Sequence, residues 1–353
     1  MEIAERSKKS LHLPEQIIEE ILSRLPVKSL LRLRCVSKSW RSLIGSKRFI
    51  KTQHQNSIKN PSFPQQRVFL LNRMYLRLEQ CSMQSILSEL LPRSSPLDDP
   101  MITTLMRFQI WGCYNGLLCV FDTHLRIHLW NPSTKISKKL PEISHPLIVR
   151  NYGFGWVESS DDYKVFVLSR VNHQCNWVGK VYSSKTKSWK TIRHCADLLS
   201  CCKEGVFVGG KLYWKKIGDE EDMIFLDLKS EVFGRIELPF DHEYCAGKNC
   251  WVGVLGDCLC VLYSNTCSYC ERGVRVWVMK ESWERVATLA HLVELLQQPQ
   301  LVVGEKGEIL VDCGSTLLVY NYRDDVFGYL VVHRPYILRH VYVESLVSPE
   351  DMC

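Results

Sequence analysis

The sequence lacks any long apolar run. It has 353 residues, of which 46% are hydrophobic, yet no window approaches the roughly 18 apolar residues that a membrane-spanning helix needs. The charged N-terminus has no apolar segment like that of a secretory signal peptide. Both Asn-x-Ser sequences, at Asn60 and Asn131, have proline in the middle and cannot be glycosylated. We predict a protein of the cytoplasm, the nucleus or both, with no membrane partner.

The common catalytic and nucleotide-binding motifs are also missing. The sequence contains no Gly-x-Ser-x-Gly, no His-Glu-x-x-His and no Walker motif. Gly153-x-Gly155 lacks the third glycine of a dinucleotide-binding turn and follows no βαβ pattern. A hydrolase is disfavoured because no nucleophile and base are recognisable as a pair. We therefore predict a protein that is not an enzyme and needs no cofactor.

Cysteine is abundant, with 16 residues, but its spacing is irregular. Without a signal peptide, we expect reduced thiols. Cys267-x-x-Cys270 has zinc-knuckle spacing, and Cys258 and Cys260 precede it, so a four-thiolate site is one interpretation. A second cluster, in a loop, consists of His194, Cys195, Cys201 and Cys202. For both clusters we favour buried or loop thiols and predict no metal.

Positive charge is concentrated near the N-terminus. The formal net charge of the chain is +7. Residues 1–60 hold 13 Lys/Arg and 5 Asp/Glu, a balance of +8, whereas residues 61–353 hold the remaining 32 and 33, a balance of −1. The larger part therefore has no bulk electrostatic reason to bind nucleic acid. A nucleic-acid-binding role of the basic segment remains the alternative, although its Arg and Lys alternate with apolar residues and form no continuous basic face.

Three short helices are predicted within the basic segment. The first begins at Pro14 and is stopped by Pro26, a second covers about residues 29–34, and Ser37 is predicted to cap a third. Their apolar side chains exceed what some 35 residues can bury. The unit therefore either packs on the rest of the chain or presents an apolar patch to a partner. Residues 51–66 are polar, contain proline and show no periodicity, which predicts a linker.

Residues 13–44, LPEQIIEEILSRLPVKSLLRLRCVSKSWRSLI, resemble an F-box of the form common in plants. The order and spacing of Leu13-Pro14, Leu25-Pro26 and the Cys35–Trp40 segment carry the resemblance, and Leu33 stands where many members have phenylalanine. The resemblance implies docking on the Skp-type adaptor of a cullin–RING ubiquitin ligase. It implies adaptor binding, with some members serving internal packing, for Leu13, Pro14, Ile17, Ile21, Leu22, Leu25, Pro26, Leu30, Leu33, Val36, Trp40, Leu43 and Ile44.

A hairpin pattern recurs after the linker. Its copies begin at Leu129, Val181, Phe225, Val276 and Val319, and these starts are 52, 44, 51 and 43 residues apart. A second hairpin precedes each copy, so each period holds about four strands. Four short strands at this interval are typical of a β-propeller. We predict about six blades, one of them assembled from residues 67–83 and the C-terminal run 340–349.

This region resembles the F-box-associated interaction domain of plant F-box proteins, a kelch-like propeller. The motifs that carry the resemblance are Gly112–Leu117, Trp130–Thr134, Tyr152–Gly155, Asp161–Val165, Trp277–Met279 and Tyr342–Leu346. The predicted fold class is mainly β with a small all-α N-terminal module, a three-helix F-box followed by the propeller. The predicted organisation is a tail (1–10), an F-box (11–50), a linker (51–66), the propeller (67–349) and a C-terminal tail (350–353).

The resemblance implies a substrate-recognition subunit of an Skp–cullin–F-box ubiquitin ligase. Its propeller would hold a protein target, which the sequence does not identify, for ubiquitination and proteasomal degradation. We expect the target contacts on one rim of the propeller, in loops that vary between blades. The candidate stretches are 169–177, 193–202, 216–222 and 241–250. The repeated aromatic residues Trp130, Trp189 and Trp283 are expected to pack the blades.

Overall fold

The computed structural model of the chain divides into two compact units, Met1–Phe63 and Pro64–Cys353. The first is helical and the second is built mainly of strands. No helix in the described ranges is both long enough and apolar enough to cross a membrane. The structure describes residues 13–59, 66–72, 77–88, 94–97, 108–122, 124–143, 147–171, 176–193, 195–217, 222–239, 248–265, 273–289, 301–303, 308–312, 317–321, 326–330 and 336–350.

The first unit contains, in its described part, the helices α1 (Glu15–Ser23), α2 (Val27–Leu33), α3 (Lys38–Gly45) and α4 (Lys47–Lys59). Pro14 precedes α1 and Pro26 precedes α2, where the rigid ring of proline favours the entry into a helix. The Ser37 hydroxyl accepts a hydrogen bond from the Trp40 backbone N–H at 3.1 Å and caps α3. The three predicted helices are confirmed.

The fourth helix corrects the predicted linker. Because α4 extends to Lys59, the linker prediction for residues 51–66 is wrong over residues 51–59. Among residues 47–57 of α4, the buried positions are Phe49, Gln53 and Ser57, which are spaced four residues apart. Gln53 Nε2 donates to the Ser57 hydroxyl at 3.0 Å, so two of the three buried residues are polar and hydrogen-bonded to each other. Hydrophobic periodicity does not detect such a helix, since only one of its buried residues is apolar.

The second unit carries the remaining elements. Its strands are β1 (Gln66–Asn72), β2 (Arg77–Ser82), β3 (Ser95–Pro96), β4 (Gln109–Tyr114), β5 (Leu117–Phe121), β6 (Ile127–Asn131), β7 (Ile136–Lys139), β8 (Leu147–Val157), β9 (Asp162–Val171), β10 (Val178–Ser183), β11 (Ser188–Ile192), β12 (Val206–Val208), β13 (Lys211–Lys215), β14 (Asp222–Asp227), β15 (Val232–Glu237), β16 (Lys248–Leu255), β17 (Cys258–Asn265), β18 (Val274–Met279), β19 (Trp283–Leu289), β20 (Leu301–Val303), β21 (Glu308–Asp312), β22 (Leu317–Asn321), β23 (Val326–Leu330) and β24 (Tyr336–Val343). Its helices are α5 (Met83–Ser88) and two 3₁₀ turns, Glu158–Ser160 and Ala196–Ser200.

The described strands form six four-stranded antiparallel sheets. Five sheets each use four consecutive strands, beginning with β4, β8, β12, β16 and β20. The sixth has the order β24-β1-β2-β3, so the C-terminal strand completes a sheet begun at the other end of the unit, with Val68 opposite Val341. This architecture confirms the predicted propeller and the predicted joining of residues 67–83 with the C-terminal run, although the strand itself ends at Val343.

The two rims of the propeller differ in the length of their connections. In the five consecutive sheets, two to four residues join the first strand to the second and the third to the fourth. Because antiparallel strands alternate in direction, these short connections share one edge, which we call the turn rim. The second-to-third connections and those between sheets lie at the opposite edge, the loop rim, and contain four to thirteen residues.

Asn and Asp side chains stabilise turns of the repeated hairpins by accepting hydrogen bonds from backbone N–H groups. At the start of the turn between the third and fourth strands, Asn131 Oδ1 accepts from the Ser133 N–H and Asp227 Oδ1 from the Ser230 N–H, each at 2.8 Å. Such side chains stabilise tight turns by replacing a backbone acceptor. The last residue of the equivalent turn has a left-handed backbone in three sheets, at Lys135, Lys187 and Glu231.

The core lies between neighbouring sheets. Trp130 is fully buried, and Trp214 meets Phe166 of the preceding sheet edge to face, with ring centroids 5.1 Å apart. The indole N–H groups of Trp189 and Trp283 donate at 2.8 Å to backbone carbonyls at the outer edge of the preceding sheet. The predicted packing role of the repeated tryptophans is therefore confirmed.

Hydrogen bonds join the C-terminal segment to the sheet that begins with β4 at the turn rim. We call the contacts of Ser345 and Val347 with Asn115 and Asn131 the clasp. Asn131 Nδ2 donates to the carbonyl oxygens of Ser345 and Val347, at 3.0 and 2.7 Å, and the Ser345 hydroxyl donates to the Asn115 carbonyl at 2.7 Å. Gly116 has a φ of +75°, and a side chain at this position would collide with Ser345. The clasp therefore ties the chain that follows β24 to the sheet that begins with β4.

Candidate protein-docking site

Helix α1 carries apolar side chains on two faces. Leu22 is buried, whereas Ile17 and Ile21 are 41% and 50% exposed, and Leu13, just before the helix, is 53% exposed. Positions 13, 17 and 21 are four residues apart, so their side chains follow one another along the outer face. We call these three residues the apolar stripe. Val36, in the turn between α2 and α3, is a further exposed apolar residue, at 62%. Apolar groups exposed together on so small a unit are typical of a protein-binding surface.

The thirteen predicted adaptor-binding residues fall into three groups by burial. The buried group is Leu22, Leu30 and Ile44. The half-buried group is Leu25, Leu33, Trp40 and Leu43. The exposed group is Leu13, Pro14, Ile17, Ile21, Pro26 and Val36. The buried group forms the interior of the helical unit, so its members act as packing rather than as a contact surface in this structure.

Two interior residues of the helical unit were missed by sequence reasoning. Val27 follows Pro26 at the start of α2, and Phe49 lies in the first turn of α4; both are fully buried. The available signal for Phe49 was Ser46, whose hydroxyl accepts from the Phe49 backbone N–H at 3.2 Å. A serine three residues before a buried aromatic marks a helix start. The fourth helix therefore belongs to the fold that supports the apolar stripe.

Positive charge surrounds the apolar residues of the helical unit. Arg24 pairs with Glu20 at 2.5 Å and Arg48 with Glu19 at 3.3 Å, which compensates two of the acidic side chains of α1. Five exposed basic residues of the helical unit form no ion pair within the described ranges: Lys28, Arg32, Lys38, Arg41 and Lys51. Exposed charges of one sign beside an apolar surface favour an acidic protein partner and accelerate its approach.

The loop rim is the second candidate surface. The four stretches predicted for target contact all adjoin strand ends on this rim, after β9, β11 and β13 and before β16. The strand order therefore agrees with the expectation that they share one rim. Parts of these stretches, residues 172–175, 194, 218–221 and 241–247, lie outside the described residues.

Of the thiols in the predicted clusters that the structure describes, Cys195, Cys201 and Cys260 are buried, Cys258 is half-buried and Cys202 is exposed. Burial raises the pKa of Cys260 to about 12 and that of Cys195 to about 11. A thiolate is the form that binds metal or attacks an electrophile. Among the described residues, no three His, Cys, Asp or Glu side chains come together as a metal site. Cys267, Cys270 and His194 lie outside the described residues, so the prediction of no metal there stays a prediction.

The fold and its exposed surfaces define a class of protein, a short helical docking module followed by a β-propeller. Comparison with family models matches residues 10–52 to the F-box domain and residues 67–349 to the F-box associated beta propeller domain. The chain belongs to the family of F-box proteins with an F-box-associated β-propeller, which confirms the resemblance drawn from the sequence.

Relatives of known sequence share the whole organisation. The chain is 30% identical over 367 residues to an F-box/kelch-repeat protein of Arabidopsis thaliana, and the match covers 97% of each chain. It is 28% identical over 352 residues to F-box protein CPR1 of the same plant, covering 87% and 81%. Among solved structures, an oligogalacturonate lyase from Vibrio parahaemolyticus shows 9% identity, a TM-score of 0.44 and coverage of 72% and 70%. That last likeness supports no inference about activity.

Proposed function

We propose that this chain is the substrate-recognition subunit of an Skp–cullin–F-box ubiquitin ligase. In this proposal the helical unit binds the Skp-type adaptor, which links it to the cullin–RING scaffold, and the propeller binds a protein target. The observation that carries the proposal is the apolar stripe on a unit that belongs to the F-box family. Target degradation by the proteasome follows from ubiquitination, and the target itself is unidentified.

The apolar stripe supplies the affinity for the adaptor. Complete burial of an aliphatic side chain contributes about 1.5–3 kcal/mol. Leu13, Ile17 and Ile21 are about half exposed, so roughly half of that contribution per residue is still available to a partner. Val36 and the exposed prolines extend the area. Interfaces of this kind derive most of their binding energy from a few such residues.

The chain itself performs no chemistry in this proposal. It holds the target close to the ubiquitin-conjugating enzyme that the ligase scaffold recruits. Joining two binding surfaces in one chain turns the encounter of enzyme and target into an intramolecular event and raises their effective concentration. This role needs two binding surfaces and no nucleophile, which agrees with the protonated buried thiols of the propeller.

Co-purification with a Skp-type adaptor tests the proposal. The Leu13→Ala/Pro14→Ala variant removes one end of the exposed group, so we expect loss of adaptor from the purified protein. Circular dichroism of the variant should match that of the wild type, since neither residue is buried. Val232→Ala, which truncates an exposed apolar residue of the propeller, is the matched control and should retain the adaptor. Full adaptor binding by a folded Leu13→Ala/Pro14→Ala variant would contradict the proposal.

The nucleic-acid alternative draws its support from the exposed basic residues of the helical unit. It predicts binding to duplex DNA that weakens steeply with salt, because phosphate contacts release counterions. The Arg32→Ala/Arg34→Ala/Lys38→Ala/Arg41→Ala variant should then lose this binding in an electrophoretic mobility assay. We expect no such salt-dependent complex. Its appearance would favour the alternative.

A further inference from the structure

Arginine and carboxylate side chains lie at opposite ends of the sheet β8–β11. Three arginines lie at its loop-rim end: Arg150, Arg170 and Arg193. The carboxylates of the same stretch lie at the turn-rim end, at Glu158, Asp161 and Asp162. Within the described residues, none of the three arginines forms an ion pair with a carboxylate. This end of the sheet therefore carries uncompensated positive charge.

An apolar residue and an aromatic residue flank the central arginine. Ile148 on β8 is paired in register with Arg170 on β9, and Ile148 is one of the exposed large apolar residues. On the other side, the Arg170 guanidinium lies over the Trp177 ring, 5.0 Å from its centroid. Cross-strand neighbours of this kind lie about 5 Å apart. The three side chains thus form one row across the edge of the sheet.

The polar atoms of these arginines point to an anionic ligand. Arg170 Nε is buried and has no hydrogen-bond partner. Arg150 stands at a β-bulge, and its Nη2 donates at 2.8 Å to the neutral Leu199 carbonyl. A guanidinium stacked on an aromatic face can still donate through its Nη groups to a carboxylate. We call Ile148, Arg150, Arg170, Trp177 and Arg193 the arginine edge.

Several basic side chains at the loop-rim ends of the neighbouring sheets have carboxylate partners. In the preceding sheet, Arg126 pairs with Asp122 at 2.8 Å. In the following sheet, Lys216 pairs with Asp222 at 2.9 Å, and Arg235 pairs with Asp197 at 2.6 Å. Arg126, Lys216 and Arg235 thus have carboxylate partners within the chain. Within the described residues the three arginines have none, and neither does Lys215 at the loop-rim end of β13.

We propose that the arginine edge binds an acidic segment of the target protein, with Asp or Glu side chains on the arginines and a neighbouring aliphatic side chain against Ile148 and Trp177. The inference rests on the proposed function and names the class of its target. Charge complementarity selects the acidic residues, since unpaired guanidinium groups bind carboxylates bidentately. The exposed Ile148 and the Trp177 ring provide the apolar contact that nucleic-acid phosphates would not use.

A peptide array tests the proposal with the full-length chain. Each spot carries a twelve-residue peptide of Gly and Ser in which zero to four Asp or Glu and zero to two Leu or Val replace residues at random. We expect the bound signal to rise about tenfold between zero and four acidic residues, because each exposed charge pair contributes modestly and three act together. The signal should be strongest where an aliphatic residue adjoins an acid, and it should fall as salt is raised.

Two variants of equal charge make the test specific. Arg150→Gln/Arg170→Gln/Arg193→Gln should reduce the signal of acidic spots to that of neutral ones. The matched control, Lys135→Gln/Lys185→Gln/Lys187→Gln, removes the same charge from the turn rim and should keep the signal. Ile148→Ser, an exposed position, should weaken only the spots that contain Leu or Val. Equal melting temperatures across these variants show that the propeller remains folded.

Several outcomes would overturn the proposal. One is a signal that does not depend on the number of acidic residues. A second is equal loss of signal in the two charge-matched variants, which indicates non-specific attraction. A third is binding that requires phosphoserine, or binding of a single-stranded RNA probe without any peptide binding. The array contains no adaptor, so failure here leaves adaptor binding intact, and loss of adaptor binding in the Leu13→Ala/Pro14→Ala variant leaves the array result intact.

Discussion

The two units of the chain differ in how many of their large apolar side chains are exposed. The described part of the small helical unit exposes four large apolar residues, Leu13, Ile17, Ile21 and Val36. The described part of the much longer propeller unit exposes three, Ile148, Ile217 and Val232. The first strands of neighbouring sheets contact each other from β4 through β8, β12 and β16 to β20, and β24 contacts β4 and completes the sixth sheet. A unit as short as the helical one has too little interior to hide its apolar surface. In the described residues the propeller thus buries nearly all of its large apolar side chains, whereas the helical unit leaves the apolar stripe exposed.

Two adjacent residues of α1 offer the strongest test of this comparison. Ile21 is exposed and Leu22 is buried. Ile21→Ser should leave the helical unit folded and remove most of the adaptor binding, because it places a hydroxyl in the apolar stripe. Leu22→Ala should destabilise the helical unit by about 2–5 kcal/mol, since it leaves a cavity, and binding is then lost through unfolding. Adaptor pull-down combined with helical circular dichroism separates the two effects.

The opposite outcome for these neighbours would break the comparison. If Ile21→Ser retained the adaptor while the unit stayed folded, the exposed face of α1 would not be the docking surface. Val232→Ser, the same kind of substitution at an exposed apolar residue of the propeller, serves as the control and should change neither fold nor binding.

The Trp214→Ala variant tests whether the stability of the propeller is independent of adaptor binding by the helical unit. Trp214 is fully buried, and its indole N–H donates to the Tyr152 carbonyl at 3.2 Å, which joins two neighbouring sheets. Its truncation should lower the free energy of unfolding of the propeller by about 3–5 kcal/mol. The adaptor should still bind, because the helical unit is a separate compact unit. Chemical denaturation followed by tryptophan fluorescence measures the stability of the propeller, and adaptor pull-down on the same protein measures binding by the helical unit. Loss of adaptor binding together with propeller stability would contradict the independence of the units.

The sequence predicted the elements whose causes are local. The propeller hairpins were recognisable because Asn131 and Asp227 stabilise their turns through bonds to residues two or three positions away. Ser37 was recognisable as a helix cap for the same reason. The strand alternation then determined which connections share the loop rim. These features depend on spacing within a few residues, which a single sequence displays.

Features that depend on distant contacts were not predictable in this way. The clasp joins Asn131 to Ser345, 214 positions away, and nothing near either residue indicates the other. The apolar pattern of α1 includes both Ile21 and Leu22, and periodicity alone does not tell which face is covered. Helix α4 was missed because Gln53 and Ser57 pair with each other in its buried face. The division of the candidate site into interior and surface therefore required the structure.

The clasp supplies a third prediction, about how the propeller stays closed. Asn131→Ala removes two hydrogen bonds to the carbonyls of Ser345 and Val347 and the turn bond from the Ser133 N–H, and it leaves buried polar groups unpaired. We expect a loss of about 2–3 kcal/mol in the free energy of unfolding. Amide hydrogen exchange should accelerate first in β24 and β1, which the clasp adjoins, and in the turn between β6 and β7. Asn176→Ala, at an exposed position of the loop rim, is the control, and uniform acceleration over all sheets would argue against a local closing role.

The smallest expected effect on the free energy of unfolding concerns an ion pair of the propeller, which we compare with an ion pair of the helical unit. Lys164 Nζ bonds to Glu231 Oε1 at 2.7 Å, and both side chains are largely buried between neighbouring sheets. Desolvation alone would raise the pKa of Glu231, but hydrogen bonds and charges from Lys164 and Lys190 outweigh it and lower the pKa. A lowered pKa in the folded state stabilises the protein above the unfolded value of about 4.3, and the stabilisation is lost as the pH falls through the folded value.

Glu231→Gln should therefore reduce the free energy of unfolding by about 1–2 kcal/mol near neutral pH. The difference from the wild type should shrink as the pH falls from the unfolded value of about 4.3 through the lower folded value, because Glu231 becomes protonated in the folded wild type over that range. The control is Glu20→Gln, which breaks the exposed pair with Arg24 and should change the stability by less than about 0.5 kcal/mol. Urea unfolding of the wild type and the two variants, from neutral pH to below about pH 4, measures both stability changes. A Glu231→Gln effect that persists undiminished at low pH would show that the ion pair is not its cause.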